Sequence, residues 1–152
     1  LRNKLTSTRQ TNRYRETVFE RDGEKCVVAG SRWGWQQPCG GALTIQHRVS
    51  RGTGGSASNE FPENYLTMCA VHNALDTSSA DFRDFCLRSG YSVARWYVSP
   101  DIGVQESDHD RQDLIRSVPV RYSDGWHFLE GVNRVKVSDD DAVTIILAIY
   151  GE

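Results

Sequence analysis

The chain has 152 residues, a formal net charge of −2 at pH 7, 38% hydrophobic residues and four cysteines. A chain of this length buries roughly 70% of its unfolded surface and folds as one domain without a covalent staple. It holds no apolar run near the ~20 residues of a membrane span, and its opening, LRNKLTSTRQTNRYRE, lacks the apolar core of a secretion signal, so an intracellular protein with no membrane partner is expected.

The small net charge conceals an asymmetry. Residues 1–100 carry 13 Lys and Arg against 9 Asp and Glu, whereas 101–152 carry 5 against 11. Only the first part suits a polyanion. Arg2, Lys4, Arg9, Arg13 and Arg15 stand in a stretch without an acidic residue, as in an arm that follows a phosphate backbone; a solvated terminus has the same composition. In YRETVFERD, Tyr14, Val18 and Arg21 share one helical face and Gly23 supplies a stop. This predicts an entry helix over about 12–22.

Cysteines follow at Cys26 in CVVAG, Cys39 in QPCGG, Cys69 in CAVHN and Cys86. Three fates are open to them: a shared metal ion, a disulfide such as Cys26 to Cys39, which an intracellular setting disfavours, and free thiols. Cys86, inside an apolar helix face, reads most simply as a buried thiol.

The middle of the chain reads LTIQHRVSRGTGGSASNEFPENYLTMCAVHN. Leu43 to His47 form a short strand by composition. Arg48 to Gly55 then supply two arginines and three glycines, so the backbone can turn sharply while cations face an anion. Tyr65, Leu66 and Met68 resume an apolar pattern, and a helix is expected from His72 to about Leu87, with Leu75, Phe82, Phe85 and Cys86 on one side. A lone strand histidine is usually a satisfied core or surface residue. His47 stands apart because Arg48, Arg51 and a Gly-Thr-Gly-Gly turn follow it.

Beyond the helix, YSVARWYVSP suggests a short extended run packed by its aromatics, and Asp101 to Asp113 a polar, solvated linker. SVPVRYSDGWHFLEG alternates about Asp124-Gly125 as a hairpin does. Ser138 and three aspartates before AVTIILAIY fit a capped helix, with a strand as the alternative for so β-branched a run.

The central stretch, with its QHR, GTGG and CAVHN segments, resembles the HNH endonuclease family, in a form closest to HNH proteins of bacteriophages that infect actinobacteria. The resemblance implies an α+β fold: a ββα-metal (His-Me) finger with an N-terminal basic helix, a structural zinc site and a small β-rich C-terminal extension. The corresponding segments are 1–22 for the basic arm and entry helix, 23–97 for the nuclease domain and 98–152 for the acidic linker and extension. By the family motif, His47 is the general base, Asn64 braces the loop that bears it, and Asn73 holds one catalytic divalent cation (Mg²⁺, Mn²⁺ or Ni²⁺), with Gln46 and His47 completing the site. Gln46 departs from the aspartate or histidine common there, and a neutral amide is the poorer ligand for a hard cation.

Many HNH proteins also carry zinc on two Cys-x-x-Cys knuckles. Here Ala29 stands where the second cysteine of the first knuckle would fall, and Cys39 can replace it. Cys26, Cys39, Cys69 and His72 would then form a closed tetrahedron, although His72 could instead ligate the catalytic cation. The family implies hydrolysis of DNA, most simply double-stranded, with Arg13, Arg15, Arg48 and Arg51 as phosphate contacts. It further implies work beside a phage large terminase subunit in the cytoplasm of an infected host. The alternative is a catalytically impaired, zinc-finger-like accessory protein that binds DNA or terminase.

Overall fold

The computed structural model describes residues 13–49, 60–98 and 108–152. Arg51 and most of the glycine-rich loop lie outside the described residues. The entry helix, α1, runs over 13–21. It buries Val18 completely and lays Tyr14 against Tyr65, with ring centroids 6.0 Å apart. At its end the buried Arg21–Asp22 ion pair joins three elements. Arg21 Nη2 donates to Tyr65 O at 2.5 Å, Asp22 Oδ2 accepts from Thr67 N at 2.9 Å, and Tyr122 donates its hydroxyl to Asp22 Oδ1 at 2.7 Å. Buried charges persist where each lone pair and donor finds such a partner.

A short helix, α2 (Arg32–Gln36), is capped by Ser31, whose Oγ accepts from Gly34 N. Strand β1 (Leu43–His47) then pairs antiparallel with β2 (Tyr65–Cys69), in a register that sets Leu43 opposite Cys69 and His47 opposite Tyr65. All five residues of β2 are buried, because α1 covers one face of this hairpin and helix α3 (Ala70–Ser78) the other.

The expected single helix from His72 is two. Helix α4 (Ala80–Arg88) follows α3 across Ser79, which has extended backbone (φ −126°, ψ 115°) and caps α4 by accepting from Phe82 N. The cause is local: Thr77 and Ser78 turn their hydroxyls onto Ala74 O, and such side-chain bonds compete with helix propagation. The aromatic run after Tyr91 also differs from expectation. It holds a four-residue helix, α5 (Arg95–Val98), which sets Trp96 edge-on to Tyr150 rather than alternating its rings across a strand. Within the expected linker lies α6 (Asp108–Arg116), whose Ile115 is fully buried.

The C-terminal part is an antiparallel meander, β3 (Val120–Tyr122), β4 (Gly125–Glu130) and β5 (Asn133–Val137), followed by α7 (Asp139–Tyr150). The hairpin is present, with Tyr122 opposite Gly125 and Ser123-Asp124 as its two-residue loop. Strand β5 was not legible, because NRVKV offers few apolar residues and leaves Val135 40% exposed. The capped-helix reading of α7 is the one observed. Ser138 Oγ accepts from Asp141 N, and three aspartates occupy the first turn, where they complement the helix dipole.

Two cores hold these parts together. One joins Val28, Met68, Phe82 and Tyr91 to Val120 and Leu129; the other joins Val49, Phe61 and Val93 to Ile115, Trp126 and Ile146. Each core draws on residues before and after position 98, so the C-terminal segment packs as part of the body. Their junction depends on Gly90, which has φ +75°, and where a Cβ would run into the Pro119 carbonyl. Gly90→Ala is therefore expected to cost about 3 kcal/mol or more, seen as a lower urea midpoint; an unchanged midpoint would show that this junction yields easily.

Candidate functional site

The four residues expected to share a metal do converge. Cys26, Cys39, Cys69 and His72 place one ligand atom each within 4.8 Å of all the others. His72 Nδ1 is 3.6 Å from Cys26 Sγ, 3.6 Å from Cys39 Sγ and 3.2 Å from Cys69 Sγ. A tetrahedral ion with bonds of about 2.3 Å to sulfur and about 2.0 Å to nitrogen would set S···N separations of about 3.5 Å. The other ring nitrogen, Nε2, lies 2.7 Å from Gln37 O. Donation to that carbonyl fixes the tautomer that leaves Nδ1 free as a ligand. This group can hold a metal ion.

The sequence builds the tetrad locally. Helix α2 carries the chain from Cys26 back toward the hairpin, and its Trp33 packs edge-on against Phe82 with centroids 5.2 Å apart. That return closes the wide gap left by Ala29 and delivers Cys39. Gly41 is needed immediately after it: its φ is +74°, and a Cβ there would meet Ala70 Cβ at 2.8 Å. Cys69 caps α3 and accepts from His72 N.

The thiols respond to their surroundings in different directions. Burial, reinforced by neighbouring sulfurs, pushes Cys26 up to about 12 and raises Cys39. Burial acts on Cys69 too, but the backbone N–H groups of His72 and Gly40 outweigh it and draw that thiol below its ordinary value. Burial lowers His72 and so favours the neutral imidazole that a metal requires. Among the described residues, Cys86 is a free, fully buried thiol outside the tetrad.

The residues expected to do chemistry fall on two faces of the β1–β2 hairpin. Thr44 and Gln46 turn toward α3. There Asn73 Nδ2 donates to Thr44 Oγ1 at 2.8 Å, and Gln46 Nε2 lies 3.5 Å from Asp76 Oδ2 and 3.3 Å from Ser92 Oγ. His47, half-buried at the end of β1, turns to the other face. Its ring stands edge-on to Tyr65, centroids 5.0 Å apart, as strand alternation requires. The structure thus places Gln46 and Asn73 on the α3 side of the hairpin, each on its own partners, and sets the His47 ring across the hairpin from them.

Asn64 is completely buried. Its Oδ1 accepts from Val49 N at 2.8 Å, its Nδ2 donates to Val49 O at 3.2 Å, and its own carbonyl accepts from Arg48 N. The backbone that leaves His47 is therefore held by three bonds from one residue.

Arg48 corrects the expectation of a phosphate contact. It is 1% exposed, and its guanidinium donates to four carbonyls: Gly90 O at 2.8 Å, Glu63 O at 3.1 Å, Ile115 O at 3.2 Å and Val118 O at 2.7 Å. Burial draws its pKa down to about 10, which leaves it charged at neutral pH. A side chain so enclosed cannot reach a nucleic-acid backbone. Arg13 and Arg15 are exposed on α1, and Arg15 Nη2 approaches Leu43 O at 3.4 Å, beside the start of β1.

Sequence reasoning missed Asp76, whose Oδ1 is buried and without a hydrogen-bond partner. Its one visible signal was its place three residues after Asn73, on the same helical face. Among the described residues no helix is long and apolar enough to cross a membrane. No family model, curated protein or solved structure matches this chain.

Proposed function

We propose that the protein is a metal-dependent HNH-type endonuclease that hydrolyses phosphodiester bonds of double-stranded DNA, with structural zinc on Cys26, Cys39, Cys69 and His72. The observation that carries this reading is the clamp of Asn64 on Val49. A strand-end histidine whose exit backbone is pinned from both sides suits a base that must keep one angle. Three sulfurs and one imidazole nitrogen form a closed set of soft and borderline donors, which favours zinc over magnesium.

In this mechanism His47 takes a proton from the water that attacks phosphorus, and Asn64 holds the backbone from which the imidazole projects. Asn73, on the first turn of α3, and Gln46, on β1, are the residues that would hold the divalent cation. When bound, that cation stabilises the charge building on the phosphate and the leaving oxygen. Arg13 and Arg15 offer exposed charge to the DNA backbone. By the resemblance to actinophage proteins, the cut ends carry 5′-phosphate and 3′-hydroxyl, and the enzyme works beside a large terminase subunit in the host cytoplasm.

A plasmid assay with Mg²⁺, Mn²⁺ or Ni²⁺ against EDTA tests the proposal. His47→Ala is expected to lower the rate of metal-dependent nicking by about 10² to 10⁴-fold while zinc content and thermal unfolding stay as in the wild type. Undiminished cleavage by that variant would refute the role given to His47. A second reading, a non-catalytic zinc module that binds DNA or terminase, draws on the His47 ring standing on the face away from α3. Retained DNA binding with no cleavage under any of the three metals would favour it.

A further inference from the structure

Between β1 and α3 the Asp76 carboxylate, which the Cys86 thiol also contacts, has one oxygen without a partner. Asp76 Oδ1 is closed off from solvent and receives no hydrogen bond, while Oδ2 lies 3.5 Å from Gln46 Nε2. Gln46 is only 5% exposed, and the same amide nitrogen lies 3.3 Å from Ser92 Oγ. A buried polar atom left without a partner is destabilising, the more so when charged. Such an atom marks a place where an ion or water belongs.

The donor chemistry narrows the occupant. A carboxylate, an amide and a hydroxyl meet here, with the Asn73 amide one turn earlier on the same face of α3. Turning the Gln46 amide by a half-turn exchanges its nitrogen and oxygen without moving the backbone, and the set then presents oxygens alone. Oxygens at right angles about a common ion are separated by about 3.0 Å for bonds of about 2.1 Å and by about 3.4 Å for bonds of about 2.4 Å. The observed 3.3 Å falls at the upper end of that range and the 3.5 Å lies just beyond it.

We propose that Asp76, with Gln46 and Ser92, forms a site for a hard divalent cation between β1 and α3, and that Asp76 supplies the carboxylate missing at position 46. The inference rests on the nuclease reading for the use of the cation, not for its binding.

Titration of the zinc-loaded, full-length chain with MnCl₂, followed by the electron paramagnetic resonance of free Mn²⁺, tests it. The wild type should bind one Mn²⁺ that Mg²⁺ displaces. Asp76→Asn should weaken that binding at least tenfold with zinc content and circular dichroism unchanged, and Gln46→Glu should tighten it. Wild-type affinity in Asp76→Asn, or no Mn²⁺ bound by the wild type, would overturn the site. Should Asp76→Asn fail to fold, Gln46→Glu decides: tighter binding supports the site, and unchanged binding overturns it. The two readings separate cleanly. Mn²⁺ held through Asp76 without plasmid cleavage retires the nuclease and keeps the site, whereas cleavage with Mn²⁺ binding insensitive to Asp76 does the reverse.

Discussion

Replacing Cys69 by serine is expected to abolish zinc binding and, with it, the folded state of the hairpin and α3. Cys69 offers its sulfur from the end of β2, caps α3 and lies nearest to His72 of the three sulfurs. Structural zinc contributes an apparent 10–16 kcal/mol, roughly, in small finger peptides, which equals or exceeds the about 5–15 kcal/mol that stabilises an ordinary domain. Removal of the ion by a strong chelator should therefore have the same outcome as the substitution. Metal analysis should give one zinc per chain in the wild type and none in Cys69→Ser, together with loss of the cooperative thermal transition. Cys86→Ala provides the contrast: it should keep its zinc and lose stability only as a small core truncation does. A wild-type chain that unfolds at the same temperature with and without metal would remove zinc from the account of this fold.

The second large effect belongs to Arg48. Substitution by methionine keeps much of the volume but strips donors from the carbonyls of Glu63, Gly90, Ile115 and Val118. Breaking a buried charged network of this kind costs about 3–5 kcal/mol, a large share of any domain's stability. Lysine should recover only part of it, since one ammonium cannot fork to four acceptors spread around a planar guanidinium. Urea denaturation is the measurement, paired with the salt dependence of DNA binding. A phosphate-contacting arginine would give the opposite pattern: an unchanged urea midpoint and a shallower salt slope.

These two residues also show what a sequence can and cannot disclose. The metal tetrad was legible because its ligands sit at short, chemically marked positions, and because Cys39 stood ready to replace the cysteine absent at Ala29. Strand β1, the β3–β4 hairpin and the cap of α7 were legible for the same reason: strand composition, turn chemistry and capping are local. Arg48 was not, since an arginine beside glycines looks solvated until carbonyls from distant segments enclose it. Asp76 was hidden differently. On a helix with a polar face a single aspartate is unremarked, and only the strand packed across from it leaves one of its oxygens stranded. Helix α6 reads as a linker because DHDRQDLIR has just two apolar residues to mark a buried side.

Two of the acceptors for Arg48 follow it by 67 and 70 residues. At a ribosomal pace of about 5–20 residues per second, the nascent guanidinium waits roughly 4–14 s before the last of them has been made. Until then the guanidinium reaches only the carbonyls of Glu63 and Gly90, and the segment leaving β1 relies on Asn64. Chains that terminate before Ile115, even with every cysteine and His47 in place, would leave the buried guanidinium short of two of its four acceptors.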